Sequence, residues 1–259
     1  TAAVTADVLC YGNSTGEITV TATGGTGTLE YAISPSFTYG AGNVFTGLAA
    51  GTYEVRVQDT IGCEVSVTNI TVTEPAAALA ATEAHTEEIC LNAADGTVTV
   101  TVTGGTAPYS TALDANTATD YTEGLFTYSN LATGAHTIYV KDANGCEVAP
   151  ITFTILPGVN ILPTATVVDN CTANVPGNIV TIGVDASVTA DVEYSLDGGV
   201  YQTSNVFTNV AAGSHTVNVQ HTNGCIQPVT FTIDNLVPVA ATAAVTADVL
   251  CYGNSTGEI

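Results

Sequence analysis

The stretch Leu131-Ala-Thr-Gly-Ala-His-Thr-Ile-Tyr-Val-Lys-Asp-Ala-Asn-Gly-Cys146 decides how this chain is built, because it occurs three times in recognisable form. Its counterparts are Leu48-Ala-Ala-Gly-Thr-Tyr-Glu-Val-Arg-Val-Gln-Asp-Thr-Ile-Gly-Cys63 and Val210-Ala-Ala-Gly-Ser-His-Thr-Val-Asn-Val-Gln-His-Thr-Asn-Gly-Cys225. Each begins with an aliphatic residue 15 positions before the cysteine and a glycine 12 positions before it: Gly51, Gly134 and Gly213. Apolar side chains then alternate (Val55/Val57, Ile138/Val140, Val217/Val219), the period of a strand with one face on a core. The stretch ends in Asp59-Thr-Ile-Gly62, Asp142-Ala-Asn-Gly145 or His221-Thr-Asn-Gly224, a hairpin turn with a polar cap and a closing glycine.

Working outward, the cysteines fall at 10, 63, 90, 146, 171, 225 and 251. Every other one is spaced by 80, 81 and 80 residues (Cys10, Cys90, Cys171, Cys251), and a glycine follows six residues later at Gly16, Gly96 and Gly177. Three diverged units follow from this phasing, 1–75, 76–157 and 158–238, separated near the prolines Pro75, Pro157 and Pro238. Residues 239–259 open a further copy, because Thr1–Ile18 return verbatim as Thr242–Ile259, a period of 241 residues. The chain therefore reads as an excerpt from a longer array, with any targeting signal outside it.

Within each unit, Ile18–Thr23 and Val98–Thr103 alternate apolar residues with threonine, and Ile70/Val72, Ile151/Phe153/Ile155 and Val229/Phe231/Ile233 supply a last strand. The third unit's Ile179–Val184 is slipped by one, which a β-bulge would explain. Gly24-Gly25, Gly104-Gly105 and Gly198-Gly199 mark turns, and only Ala76–Ala81 hints at a helical turn. Short strands at this density predict an all-β chain of tandem immunoglobulin-like β-sandwich domains, one disulfide each, in an end-to-end array. A sandwich of such strands is roughly 35–40 Å long, so a full repeat spans about 110–120 Å.

Composition limits the function. Two basic and 24 acidic residues in 259 give a formal charge of −22. Too few cations are present to neutralise phosphates or dock on anionic lipid, which excludes nucleic-acid binding and electrostatic membrane attachment. No apolar run is long enough to insert directly into a membrane. The acidity keeps a long fibre soluble and self-repelling.

The six cysteines of the three units admit 15 connectivities. Repeat phasing selects pairing inside each unit, Cys10–Cys63, Cys90–Cys146 and Cys171–Cys225, with Cys251 unpaired in the excerpt. Metal or redox roles are the competing reading, but no CxxC occurs and the spacings do not suit a zinc finger. Structural disulfides imply an oxidising, extracellular setting.

The unit pattern, C-x5-G-x-[IV], a Gly-Gly turn, L-x-x-G-x-[YH]-x-[VI]-x-V and D-x-x-G-C, resembles the SprB repeat of giant surface adhesins in gliding bacteria of the Bacteroidetes group. Gly104-Gly-Thr-Ala-Pro-Tyr109, Leu48–Tyr53 and Asp142–Cys146 carry the likeness most plainly. The third unit departs most, with His221 in place of the turn aspartate. The resemblance implies a cell-surface filament, exported by the type IX route, with partners that are further copies of the repeat in the same chain and, through other regions, surface polysaccharide. Alternatives are a secreted carbohydrate- or surface-binding array and a static biofilm or sheath fibre.

Candidate sites are few. His85, His136, His215 and His221 are the only histidines, and His136 and His215 occupy the position of Tyr53, which suggests packing at a strand start. No nucleophile elbow, Walker loop or HExxH is present, so an enzyme is not expected. No cofactor is expected either; calcium is the one ion that Asp59, Asp142, Asp169, Asp185, Asp191 and Asp197 would suit, yet no DxDxDG loop occurs and turn aspartates have a ready role as caps. Tyr11, Tyr39, Tyr121 and Tyr201 are the aromatics a carbohydrate site would use. Asp59-Thr60-Ile61 resembles the O-glycosylation pattern of this bacterial group, which makes Thr60 its acceptor.

Overall fold

A computed structural model describes residues 1–168, 178–235, 242–250, 252–255 and 258. The chain divides into two compact units, Thr1–Gly158 and Val159–Ile259. The described residues form strands and turns, and no helix is long and apolar enough to cross a membrane.

The first unit holds two sandwiches. In the first, β1 (Ala2–Ala6), β2 (Gly16–Val20) and β4 (Val44–Leu48) form one sheet in the order β1-β2-β4, and β3 (Glu30–Ile33), β5 (Gly51–Gln58) and β6 (Glu64–Val72) form the other in the order β3-β5-β6. In the second, β7 (Ala80–Thr86), β8 (Gly96–Thr103) and β11 (Thr127–Leu131) face a sheet ordered β10-β9-β12-β13, from β9 (Ser110–Leu113), β10 (Thr122–Glu123), β12 (Gly134–Lys141) and β13 (Ile151–Ile155). The second compact unit repeats the plan with β14 (Thr164–Val168), β15 (Asn178–Gly183) and β17 (Val206–Val210) against β16 (Val192–Leu196), β18 (Gly213–His221) and β19 (Ile226–Ile233). All pairings are antiparallel, as expected of immunoglobulin-like sandwiches.

The alternation read in the sequence is what fills the cores. Ile18 and Val20 from one sheet meet Val55, Val57, Ile70 and Val72 from the other. Val98 and Val100 meet Ile138, Val140, Phe153 and Ile155 in the second sandwich. Val180, Ile182, Val217, Val219 and Ile233 are buried in the third. At Gly16 a Cβ would lie 2.6 Å from the Val72 side chain of the facing sheet and 2.8 Å from the Leu48 carbonyl of the neighbouring strand, so in this sandwich the position is closed to a side chain.

Two local expectations are corrected. The buried positions Ile18, Val98 and Val180 are equivalent, so the third unit's extra residue precedes its strand and Ile179–Val184 needs no bulge of its own. A register shift does occur in all three sandwiches, on the pairing of β2 with β4, β8 with β11 and β15 with β17. At these shifts, Gly47, Asn130 and Asn209 take left-handed φ of 72°, 60° and 59°. Pairing also aligns Asn178, rather than Gly177, with Gly16 and Gly96; Gly177 itself lies outside the described residues. Ala76–Leu79 is not helical: the chain bends at Ala76 and Ala77, Gly105 N–H donates to the Ala77 carbonyl at 2.9 Å, and Ala80 and Ala81 already belong to β7.

Candidate functional site

In each of the first two sandwiches the two cysteines lie at opposite ends. In the first sandwich, β5 starts beside the end of β6 (Gly51 opposite Val72) and runs away to the turn at Asp59–Cys63. That turn sits against the Gly-Gly loop, since Asp59 Oδ2 accepts from Thr26 N–H at 2.9 Å. Cys10 belongs to the other end: Val8 N–H donates to the Thr73 carbonyl at 2.8 Å and Gly12 N–H to Glu74 Oε2 at 2.6 Å, both just past β6. A nine-residue β6 therefore separates the two cysteines, roughly 25–30 Å at strand rise, whereas a disulfide needs Cα atoms within about 7 Å. The second sandwich is built alike, with Cys90 next to Gly158 at one end and Cys146 at the other beside Thr106.

The disulfide follows from this layout and overturns the expected pairing. Cys10 bonds to Cys146, with Cα atoms 5.7 Å apart across 136 positions, so the bond joins one sandwich to the next rather than closing either. This excludes Cys10–Cys63 and Cys90–Cys146. Cys63 is a free, exposed thiol, while Cys90 and Cys225 are disulfide-bonded. Cys171, Cys251 and Asp169 lie outside the described residues.

The bonded end is held by the turn aspartate. Asp142 is 5% exposed, and its Oδ1 accepts from Asn144 and Cys146 N–H (both 2.9 Å) while Oδ2 accepts from Thr106 N–H at 2.9 Å. Asn144 Nδ2 reaches across the joint to the Leu9 carbonyl at 2.9 Å. The connecting segment lies against the same end: a Cβ on Gly104 would stand 1.9 Å from the Ala78 carbonyl oxygen. The free end at Cys63 carries the same cap, Asp59 accepting from Thr26, Ile61 and Cys63 N–H. The Thr26 bond above all, with those of Cys63 and Ile61, holds the Asp59 carboxyl below its ordinary pKa. In the third sandwich His221 stands at this position and Asn223 Oδ1 takes over the bond from Cys225 N–H at 2.9 Å.

The opposite end of the second sandwich has a carboxylate that the sequence pattern did not single out. Glu88, 4% exposed, accepts from Asn92, Ala94 and Thr133 N–H and so fixes the Cys90 turn. Its counterpart in the first sandwich is the buried Val8, so no repeated residue type marked the place.

The remaining candidates have structural partners. His136 and His215 lie on Phe153 and Phe231 at ring distances of 5.5 and 5.7 Å. Their Nε2 atoms face the Ala132 and Ala211 carbonyls, as the Tyr53 hydroxyl faces Ala49, and their Nδ1 atoms face Asp114 and Asp197 at 2.7 Å. With an acceptor at both nitrogens the doubly protonated ring is favoured. For His136, burial opposes this and the Ala132 and Asp114 bonds outweigh it; for His215 the Asp197 bond dominates, and both pKa values are raised.

Asp185 caps Ser187, Asp197 serves His215 and Thr216, and the Asp191 carbonyl accepts from Thr222 N–H. These aspartates are spread over separate turns, and among the described residues no group of three or more His, Cys, Asp or Glu is placed to hold a metal. Tyr39 donates its hydroxyl to Glu64, and Tyr121 has the Lys141 ammonium 3.9 Å from its ring centre, over one face. Tyr201 is half-buried, and Tyr11 is half-exposed beside the Cys10–Cys146 joint. Thr60 is exposed at the Cys63 turn and donates to the Thr26 carbonyl at 2.6 Å.

Residues 2–38 and 82–118 both match the SprB repeat family, together under a third of the chain and one 80-residue period apart. These two segments are similar to the SprB repeat. No curated protein matches the chain. Among solved structures, fibronectin(III)-like modules of CbhA from Clostridium thermocellum align at 13% identity over 61% of this chain and 94% of theirs, with a TM-score of 0.33. Domains 7, 8 and 9 of the S-layer protein SbsC align at 13% identity over 82% of each chain (TM-score 0.32). The eight N-terminal Ig domains of Down Syndrome Cell Adhesion Molecule align at 12% over 79% of this chain and 31% of theirs (TM-score 0.31).

Proposed function

We propose that this chain is a load-bearing stalk segment of a long extracellular adhesin, in which units 1–75, 76–157 and 158–238 repeat as a 241-residue copy and carry adhesive parts away from the cell surface. The observation that carries this reading is the Cys10–Cys146 bond, which fastens one sandwich end to the next. A stalk under tension gains from such a bond a covalent route past residues 11–145. The two SprB repeats and the disulfides support a surface location outside the cell. The acidic surface supports a fibre that stays soluble and does not stick to its neighbours. Gliding is the use we assign to it, and the chain itself is not an enzyme.

Fluorescent antibody against this repeat on live, intact cells of the source organism tests the assignment. Label that travels along the surface is the expected result. Label fixed on filaments makes it a static fibre, and label released to the medium makes it a secreted binding array.

A further inference from the structure

We infer that β7 is a pH-gated edge strand: in mild acid it is clasped to the facing sheet by His85 and His136 about Phe153, and it loosens as those imidazoles lose their second proton. β7 lies at the edge of the sheet ordered β11-β8-β7 and pairs on one side with β8. Its inward-facing side chains therefore fasten it to the core.

The same two inward positions recur in all three sandwiches. Opposite Ile18 and Val20, the first edge strand carries Val4 and Ala2. Opposite Val180 and Ile182, the third carries Val167 and Ala165. Opposite Val98 and Val100, the second carries His85 and Glu83, whose side chains are only 26% and 18% exposed. Two apolar side chains are thus replaced by two that titrate. Inward-pointing charge weakens the hold of an edge strand on its core unless that charge is paired.

The pairing depends on a proton at both nitrogens of each ring. His85 Nδ1 faces Glu83 Oε2 at 2.9 Å, and Nε2 faces Glu87 Oε1 at 3.5 Å. Glu87 also accepts from Leu156 N–H just past β13, which anchors that carboxylate. A neutral ring turns a nitrogen lone pair towards one of these oxygens. The His85 ring stands 5.2 Å from that of Phe153 on the facing sheet, tilted by 32°. His136, the cross-strand neighbour of Phe153, lies 5.5 Å from the same ring, with acceptors at both of its nitrogens. Phe153 thus has an imidazole from each sheet against it, and an aromatic ring attracts the cationic form. The corresponding residues are Val4, Tyr53 and Ile70 in the first sandwich and Val167, His215 and Phe231 in the third, so the two-imidazole arrangement belongs to the second alone.

Among the described residues, the charges that face the clasp are carboxylates. Glu83 and Glu87 flank His85, and Asp114, beyond β9, faces His136. At the same end Glu88 accepts from Asn92, Ala94 and Thr133 N–H, and Asp95 from Ile89 N–H. β8 contributes Val98 and Val100, and β13 contributes Phe153 and Ile155. Lys141, the cation of this sandwich, ends β12 roughly 17 Å beyond His136 at strand rise. Both pKa values are raised, that of His85 chiefly by the Glu83 hydrogen bond; for His136 burial opposes the rise and the Ala132 and Asp114 bonds outweigh it. The clasp is therefore complete below the unfolded value of about 6.5 and is lost as pH rises through the raised values. Loosening β7 uncovers the backbone donors and acceptors of β8, which makes this the edge at which the second sandwich opens in mild alkali.

Hydrogen exchange of the oxidised 259-residue chain, with rates divided by the intrinsic rate at each pH, tests this independently of the stalk reading. Between about pH 5.5 and about pH 8, protection of the Ala80–Thr86 amides should fall by about two- to fivefold for each imidazole released, so by about four- to 25-fold for both. Protection of Thr164–Val168, which has Ala165 and Val167 at the same positions, should hold. Glu83→Ala with His85→Val gives β7 the residues of β14 and should remove the fall. In Phe153→Leu, the pKa values of His85 and His136 read from their ring-proton shifts should both drop. Equal falls in β7 and β14, or a fall that persists in the double variant, would assign the effect to net charge and overturn the inference. Should the double variant not fold, the comparison of β7 with β14 in the natural sequence decides by itself.

Discussion

Cys10 and Cys146 are 136 positions apart in sequence, yet their Cα atoms are 5.7 Å apart and their sulfurs are joined. A closed loop of that length restricts the unfolded chain by about 5 kcal/mol on the loop-entropy model. Cys10→Ser should therefore lower the stability of the Thr1–Gly158 unit by several kcal/mol towards that ceiling, measured by urea unfolding of oxidised chains.

The same bond shields residues 11–145 from tension applied at residues 1 and 158. On reduction, single-molecule pulling should release these residues, an added contour of about 450 Å at full extension. Equal extension of oxidised and reduced chains would show that the bond carries no load.

Asp142→Ala leaves the Thr106, Asn144 and Cys146 N–H groups without their acceptor at a mostly buried turn. At about 1–3 kcal/mol for a buried donor left unpaired, with some regained from water, a loss of about 2–4 kcal/mol is expected in denaturant melts.

Gly104→Ala and Gly24→Ala separate backbone strain from docking. Both positions have left-handed φ, which costs an alanine about 1–2 kcal/mol. Only Gly104 faces a neighbouring backbone, the Ala78 carbonyl, so its substitution should cost about 1–3 kcal/mol more than that of Gly24. Equal costs would mean that the connection simply moves aside.

His136 and His215 have folded pKa values above the unfolded value of about 6.5. Their contribution is complete below pH 6.5 and is lost as pH rises through the raised values. Asp59, Asp185 and Asp197 are shifted down, so their contribution holds above about pH 4 and is lost as pH falls through the lowered values. Thermal stability should peak between these limits, in mild acid. Relief of charge repulsion gives the same trend on the alkaline side, so the check is His136→Gln with His215→Gln. The double variant should flatten the fall between pH 6 and 8, and an unchanged slope would assign it to net charge together with His85, whose pKa the Glu83 hydrogen bond also raises.

Much of the molecule was legible in the residues themselves. The alternation in Ile18–Val20, Val98–Val100 and Val217–Val219 specifies strands with one buried face, since side chains on a strand alternate sides whatever the surroundings. The Asp-x-x-Gly turns were legible for the same reason: Asp59 and Asp142 satisfy donors within a few residues of themselves. Local geometry is encoded locally, and the repeat multiplied each signal by three.

The cysteine partners were decided elsewhere. A repeat shows that Cys10 and Cys63 belong to one unit, but not that a nine-residue strand holds them at opposite ends. That separation, and the contact of one sandwich end with the next, exist only once the sheets have formed. Two sulfurs bond because the folded chain brings them within reach, so the sequence by itself determined the sandwiches and their order, and the tertiary structure alone decided that the disulfide joins Cys10 of one to Cys146 of the next.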